Sequence, residues 1–342
     1  MAPVLLRLPL ALAGLVIGGC LPCAGTGDLC MVAEELPEAL LFVRAPAVDD
    51  VWVVGTEATP GTSGPTAGWY DGSAWSWLDL TDHVDRELWS VHVGDERVTL
   101  VGTGGLILEH DRASGATVRV DGPDPAVTFF GVWGADDDDV WAVGGVIGGD
   151  APPSIWRRQG ADWARYVDPT LGEGPDGSTY FKVDGRASSD LWIVGDRGTA
   201  LHWDGTALTA TPTDADIDTS TAPLLTVDVQ GPAPVAVGGA GSALLLEWDG
   251  AAWRDASPAF TPPLNGVCSN GSTSWAVGAQ GAVVGSGSGW TDALEAETFL
   301  DYHSCAVDPD GGLWAVGGQI TGRPLDEGIL AYRGPGGVAR LH

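Results

Sequence analysis

Lysine is almost missing from this chain. One, Lys182, accompanies fifteen arginines, and these sixteen basic residues face 46 acidic ones among 342, for a net charge of −30. Such a deficit of positive charge argues against nucleic acid or anionic lipid as a partner, because both would be repelled. The preference for arginine reads as a coding bias and carries little function. Methionine is scarce as well, with two in the chain. The motifs that announce common chemistry are absent: there is no P-loop, no H-E-x-x-H, no G-x-S-x-G and no paired Cys-x-x-Cys. What remains is 44% hydrophobic, enough to bury a core. With 51 Gly, 23 Pro and 16 Trp, the composition predicts many turns and strands and few helices.

Residues 1–19 read as a signal peptide, with Arg7 as its charged start and Leu8–Ile17 as an apolar run too short to span a bilayer. The run ends Val16-Ile17-Gly18-Gly19-Cys20, which resembles the lipobox of bacterial lipoproteins. That resemblance implies diacylation of the Cys20 thiol, cleavage before it and acylation of the new amine. Leu21 follows, not the aspartate that in the family often retains a lipoprotein at the inner membrane, so the resemblance implies the outer membrane. Two or three acyl chains suffice for stable anchoring. Ordinary secretion with a chance cysteine is the alternative. On this reading 20–38 hold the lipidated cysteine and a tether, and 39–342 form the folded domain.

That domain is a repeat. Apolar runs ending in glycine recur as Val51-Trp-Val-Val-Gly55, Val98-Thr-Leu-Val-Gly102, Val140-Trp-Ala-Val-Gly144 and Leu191-Trp-Ile-Val-Gly195. Three more follow: Pro234-Val-Ala-Val-Gly238, Ser274-Trp-Ala-Val-Gly278 and Leu313-Trp-Ala-Val-Gly317. The glycines are 39 to 51 residues apart, the period of propeller blades rather than solenoid coils. Each unit predicts four strands. The first centres on Val43, Val91, Val132, Val183, Val227, Val267 and Cys305. The glycine-ended run is the second; apolar on both faces, it must be covered on both sides, as in stacked radial blades. A third strand follows, as in Ala200–Trp203. A tight turn such as Asp71-Gly-Ser-Ala-Trp75 or Asp249-Gly-Ala-Ala-Trp253 then leads into the fourth. The predicted fold is all-β, a seven-bladed β-propeller of four-stranded antiparallel blades. Its last strand is assigned to Gly337–His342, with Met31–Leu36 as a possible swapped strand from the N-terminus.

The W-A-V-G run followed by a D-G-x-x-W turn resembles the repeats of photosystem II assembly-factor-like and Asp-box-like propellers, over about residues 39–342. The match is at the level of the repeat and implies fold and little else. The usual Asp box has one residue between Asp and Gly. This chain has none, so the blade is carried over and the glycosidase chemistry is not.

Most candidate sites fall at repeated positions. Asp136–Asp139 aligns with Asp49-Asp50 and Ser189-Asp190 and reads as a turn. Asp214, Asp216 and Asp218 have the alternate spacing of a calcium loop, but Thr219 and Leu225 replace the Gly and Glu that an EF-hand needs. Weak or absent metal binding is expected, and no cofactor. Asp308–Gly312 and Asn270-Gly271-Ser272 read as turns. Arg44, Arg186, Arg197, Arg323 and Arg333 are too scattered for a sialidase cluster. After the central inner-strand residue the blades carry Arg44, His92, Trp133, Asp184, Asp228, Cys268 and Ala306. This variation predicts either a solvated channel wall or a small-ligand site lined by Arg44, His92, Asp184 and Asp228.

With Cys20 acylated, four cysteines remain, an even number that suits an exported chain. Cys23 and Cys30 could close a small loop. Cys268 and Cys305 fall on adjacent inner strands in opposite parity, which predicts a cross-link between blades six and seven. Long connections at 56–66, 145–153, 318–327, 167–179 and 209–223 all open on one face of a propeller. The resulting expectation is a monomeric, lipid-anchored, non-catalytic scaffold at the bacterial envelope. It would touch the membrane only through its anchor and bind a protein or glycan partner through the long-loop face. The alternative is a carbohydrate-active hydrolase or lyase using channel-facing acids.

Overall fold

The computed structural model describes residues 23–214, 222–287, 289–294 and 298–341. Cys20 and the signal segment lie outside the described residues, as do Asp216 and Asp218. Seven four-stranded antiparallel sheets account for the strands. Their inner strands are Leu40–Ala47, Leu88–Val93, Thr128–Asp136, Tyr180–Ala187, Leu224–Asp228, Leu264–Ser269 and Asp301–Val307. Each contacts the inner strand before and after it, and the last contacts the first, so the ring is closed. Within blades one to six the order is sequential from the axis outwards. The fold is a seven-bladed β-propeller.

The core is layered. Seven buried apolar clusters occur among the described residues, and each lies between two neighbouring blades. This is why the second strand is apolar on both faces: its alternate side chains enter different inter-blade layers. Trp141, for example, packs on Trp203 of the next blade at 5.3 Å between ring centroids. Fully burying a side chain such as Val or Leu contributes about 1.5–3 kcal/mol.

The repeat glycine has a steric cause. At Gly55, Gly102, Gly144, Gly195, Gly238, Gly278 and Gly317 an added Cβ would lie 1.8–2.3 Å from the backbone oxygen of the residue preceding the paired inner-strand position. Opposite each glycine the inner strand carries one extra residue. Leu40 pairs with Gly55 and Phe42 with Val54, leaving Leu41 as a bulge. The same skip leaves out Trp89, Phe130, Phe181, Leu225, Asn265 and His303 in blades two to seven. A bulge re-aims its side chain, and seven at one level build a ring.

Ring closure differs from the expectation. The outer strand of blade seven is Cys23–Leu36, paired antiparallel with the long third strand Asp326–Val338. Residues 23–36 are therefore not a tether, and Gly337–His342 is not the last strand. The Met31–Leu36 alternative foresaw the C-terminal part of this strand. The physical reason is burial: Leu29, Val32 and Ala33 are each at most 4% exposed, which a free linker would not be. Both anticipated disulfides are present, Cys23–Cys30 within this strand and Cys268–Cys305 between the inner strands of blades six and seven.

The acidic turns behave as turns. Asp71 Oδ1 accepts from the Ser73 and Ala74 amides at 2.8 Å, and Asp204 and Asp249 repeat the pattern. Asp136 Oδ1 likewise accepts from the amides of Asp138 and Asp139. Asp137 reaches the neighbouring blade to accept from the Glu96 and Arg97 amides at 2.8 and 3.0 Å. Asn270 and Asp308 close their own turns in the same way.

Candidate functional site

The central channel has two ends of different chemistry. At the long-loop end, where the inner strands begin, the bulged residues form an apolar mouth. Trp89, Phe130 and Phe181 meet edge to face at 5.1 and 5.5 Å, and His303 packs on Trp89 at 5.5 Å. With Leu225, Asn265 and Ile147 they line a pocket of about 190 Å³ whose floor includes Lys182. His303 donates from Nδ1 to the Leu41 carbonyl at 2.5 Å. Burial, with the Lys182 charge nearby, lowers its pKa to about 4. The imidazole at the mouth is neutral.

At the opposite end a chamber of about 250 Å³ is lined by Arg44, Lys182, Asp184, Asp228, Gln230 and Ser269 among others. Asp184 and Asp228 are both buried. Asp184 Oδ2 accepts from the Val229 amide at 3.0 Å and from Gln230 Nε2 at 3.3 Å, and Arg44 Nη1 stands 3.9 Å from Oδ1. Asp228 Oδ1 accepts from Ser269 Oγ at 2.8 Å and the Gln230 amide at 3.1 Å. Burial pushes the pKa of Asp184 up, and burial together with the Asp184 charge pushes that of Asp228 up to about 7. Lys182 donates to the Phe130 carbonyl at 3.3 Å and lies 4.0 Å from the centre of the Phe42 ring. Burial, then the Arg44 charge, lowers its pKa to about 7.

Three of the four residues expected at a channel site therefore meet: Arg44, Asp184 and Asp228. His92 does not line the chamber. It is turned into the seam between blades two and three, where its Nδ1 accepts from the Gly134 amide at 3.2 Å, and burial lowers its pKa to about 4. Asp184 makes the equivalent bond to the Val229 amide of the blade after it, so the two side chains point the same way and differ in whether the cavity reaches them. Reasoning from sequence missed Lys182, dismissed as composition, and missed the bulge ring. The repeat glycines were the available signal for the ring, because they mark where an extra inner-strand residue fits.

The remaining candidates are dispersed. Asp214 pairs with Arg254 at 2.6 Å. No cluster of three metal-ligating side chains occurs among the described residues. Arg186 pairs with Asp190 at 3.8 Å, Arg323 with Glu87, and Arg333 donates to the Thr26 carbonyl at 2.6 Å, so these arginines serve separate blades.

No protein-family description and no curated protein matches the chain. Solved structures do. The chain is similar to streptogramin B lyase at a TM-score of 0.68 and 12% identity, over 89% of this chain and 97% of that one. It is similar to YCF48 bound to a D1 peptide at 0.63 and 14%, over 92% and 99%. It is also similar to the extracellular domain of a putative hybrid two-component system from B. thetaiotaomicron, at 0.63 and 10% over 89% of this chain. There it spans only 39% of the larger protein. At such identities the shared property is the fold. One propeller here is called a lyase and another holds a peptide, so architecture alone assigns no activity.

Proposed function

We propose that this chain is an exported, lipid-anchored propeller that docks a protein partner on its long-loop face and performs no catalysis. The observation that carries the reading is the face on which the most exposed apolar side chains lie. Ile147, Phe260 and Phe299 are 69%, 106% and 93% exposed. They lie in the blade-three loop between its second and third strands and in the connections between blades five and six and blades six and seven. In an antiparallel blade all three connections open on the same face, around the apolar mouth. Ile147 also lines the pocket at the mouth, and large apolar groups exposed on one face mark an interaction surface. Part of the same face is also held in place. Glu57 accepts from the amides of Gly61 and Asp85 at 2.5 and 2.6 Å, and Arg323 pairs with Glu87. Such pre-ordering lowers the entropy cost of docking.

The anchor supports the same orientation. If Cys20 is lipidated, the two residues 21 and 22 separate it from the strand that begins at Cys23. Three residue steps span at most about 10 Å. The N-terminal end of this outer strand lies at the short-turn face of blade seven, so that edge would meet the bilayer and the long loops would point away from it. The outer membrane remains the proposed address, on the lipobox resemblance.

The test is capture from envelope extract with the acylated full-length protein and with an Ile147→Ser/Phe260→Ser/Phe299→Ser variant. A partner retained by the first and lost by the second supports the reading; equal capture, or none by either, contradicts it. The carbohydrate hydrolase or lyase alternative has the buried pair Asp184 and Asp228 in its favour. Against it, a chamber of about 250 Å³ is small for a glycan chain. Turnover lost on Asp184→Ala would establish it.

A further inference from the structure

We propose that the polar chamber at the short-turn end of the channel binds a small zwitterion of the α-amino acid type, its ammonium against Asp184 and Asp228 and its carboxylate against Arg44 and Lys182. The proposal does not rest on partner docking, which concerns the other face.

Four ionisable groups converge on one cavity, and none of them is matched by a short ion pair within it. Asp184 is 4% exposed, and its Oδ1 accepts no hydrogen bond among the described residues. Its nearest counter-charge, Arg44 Nη1 at 3.9 Å, is beyond hydrogen-bond reach. A buried carboxylate left this far from its counter-charge, on an arginine that is itself one-third exposed, is costly unless something completes it. Lys182 Nζ is satisfied only by a carbonyl at 3.3 Å and a ring face, neither of which carries a formal charge.

The ligand must therefore bring both signs. A divalent metal fits poorly: the described residues offer no triad of ligating side chains, and Arg44 would repel it. An ammonium has three donors to share between the free Asp184 Oδ1 and the Asp228 carboxylate. A carboxylate would take the guanidinium fork of Arg44 and the Lys182 ammonium in charge-assisted bonds. The cavity, about 250 Å³, also has inner-strand valines in its wall, which suit a small apolar side chain. Seating an ammonium would drive the Asp228 carboxyl, with a pKa of about 7, to the ionised form, while the ligand carboxylate would draw a proton onto Lys182, whose pKa is also about 7, so the two transfers offset at pH 7.

Titration calorimetry on the full-length protein tests this, with the twenty amino acids as probes and ethylamine and propionate as single-charge controls. At least one amino acid should bind saturably with Kd below ~1 mM, and both controls about tenfold or more weaker. Asp184→Asn and Asp228→Asn should each weaken binding about tenfold or more, while Phe260→Ser, exposed on the other face, should not. A melting temperature at or above wild type in the Asn variants separates lost binding from lost folding. No saturable binding by any amino acid, ethylamine binding as tightly as the amino acids, or undiminished binding by Asp184→Asn would overturn the proposal.

Discussion

At the scale of single residues, glycine and lysine carry the most information. Gly195 pairs with Tyr180, and a Cβ there would sit 2.3 Å from the Thr179 carbonyl oxygen. The clash is with backbone, which cannot swing aside. Gly195→Ala should therefore lower stability by more than ~3 kcal/mol, read as a fall in the urea midpoint, whereas Gly287→Ala, with open space around it, should be nearly neutral. Lys182 makes a pH-dependent prediction. Its folded pKa of about 7 lies below the ordinary lysine value, so between these limits the unfolded chain holds a proton that the folded chain has lost. Its contribution to stability then rises with pH from about 7 towards 10, by at most ~1.4 kcal/mol per pH unit. Asp228 acts in the opposite sense at lower pH, its contribution falling as pH rises from about 4 to 7. In Lys182→Met the slope above pH 7 should flatten in chemical denaturation. An unchanged slope would show that the ammonium is not buried.

Strands and blades were more legible in the sequence than side-chain environments. The Val-Trp-Ala-Val-Gly runs located the second strands because their glycine and double-faced burial are imposed by packing. Inner strands followed at a constant offset. The outer strand of blade seven was harder to read, because Cys23–Leu36 is interrupted by Gly25, Gly27 and acidic residues and lacks strict alternation. Its true partner, Asp326–Val338, is about 300 residues away in sequence. The channel site was half legible: a repeat position identified Arg44, Asp184 and Asp228, but it also included His92, which shares their register and lies outside the chamber because the cavity does not reach its side chain. The closure strand yields a prediction. Deleting residues 23–36 uncovers the edge of Asp326–Val338 and removes Leu29, Val32 and Ala33 from the core. On burial alone this should cost on the order of 3–6 kcal/mol. A protein beginning at 39 should melt well below one beginning at 21, as followed by near-ultraviolet circular dichroism. Coincident melting curves would contradict the assigned role of the strand.

At the scale of the molecule, seven nearly equivalent blades are distinguished chiefly by what they place at the two ends of one channel. The apolar mouth and exposed phenylalanines are on the long-loop face, and the charged chamber opens at the other. The composite blade joins the strand Cys23–Leu36 to the three C-terminal strands and places Cys23 on the charged side. A net charge of −30 disfavours nonspecific contact with anionic surfaces. The most direct measurement is photo-crosslinking in intact cells with a diazirine residue placed separately at Ile147, Phe260 and Val48. The account predicts one discrete protein adduct shared by Ile147 and Phe260, and none at Val48 on the opposite face. An adduct at Val48 alone, or none at any position, would contradict docking on the long-loop face.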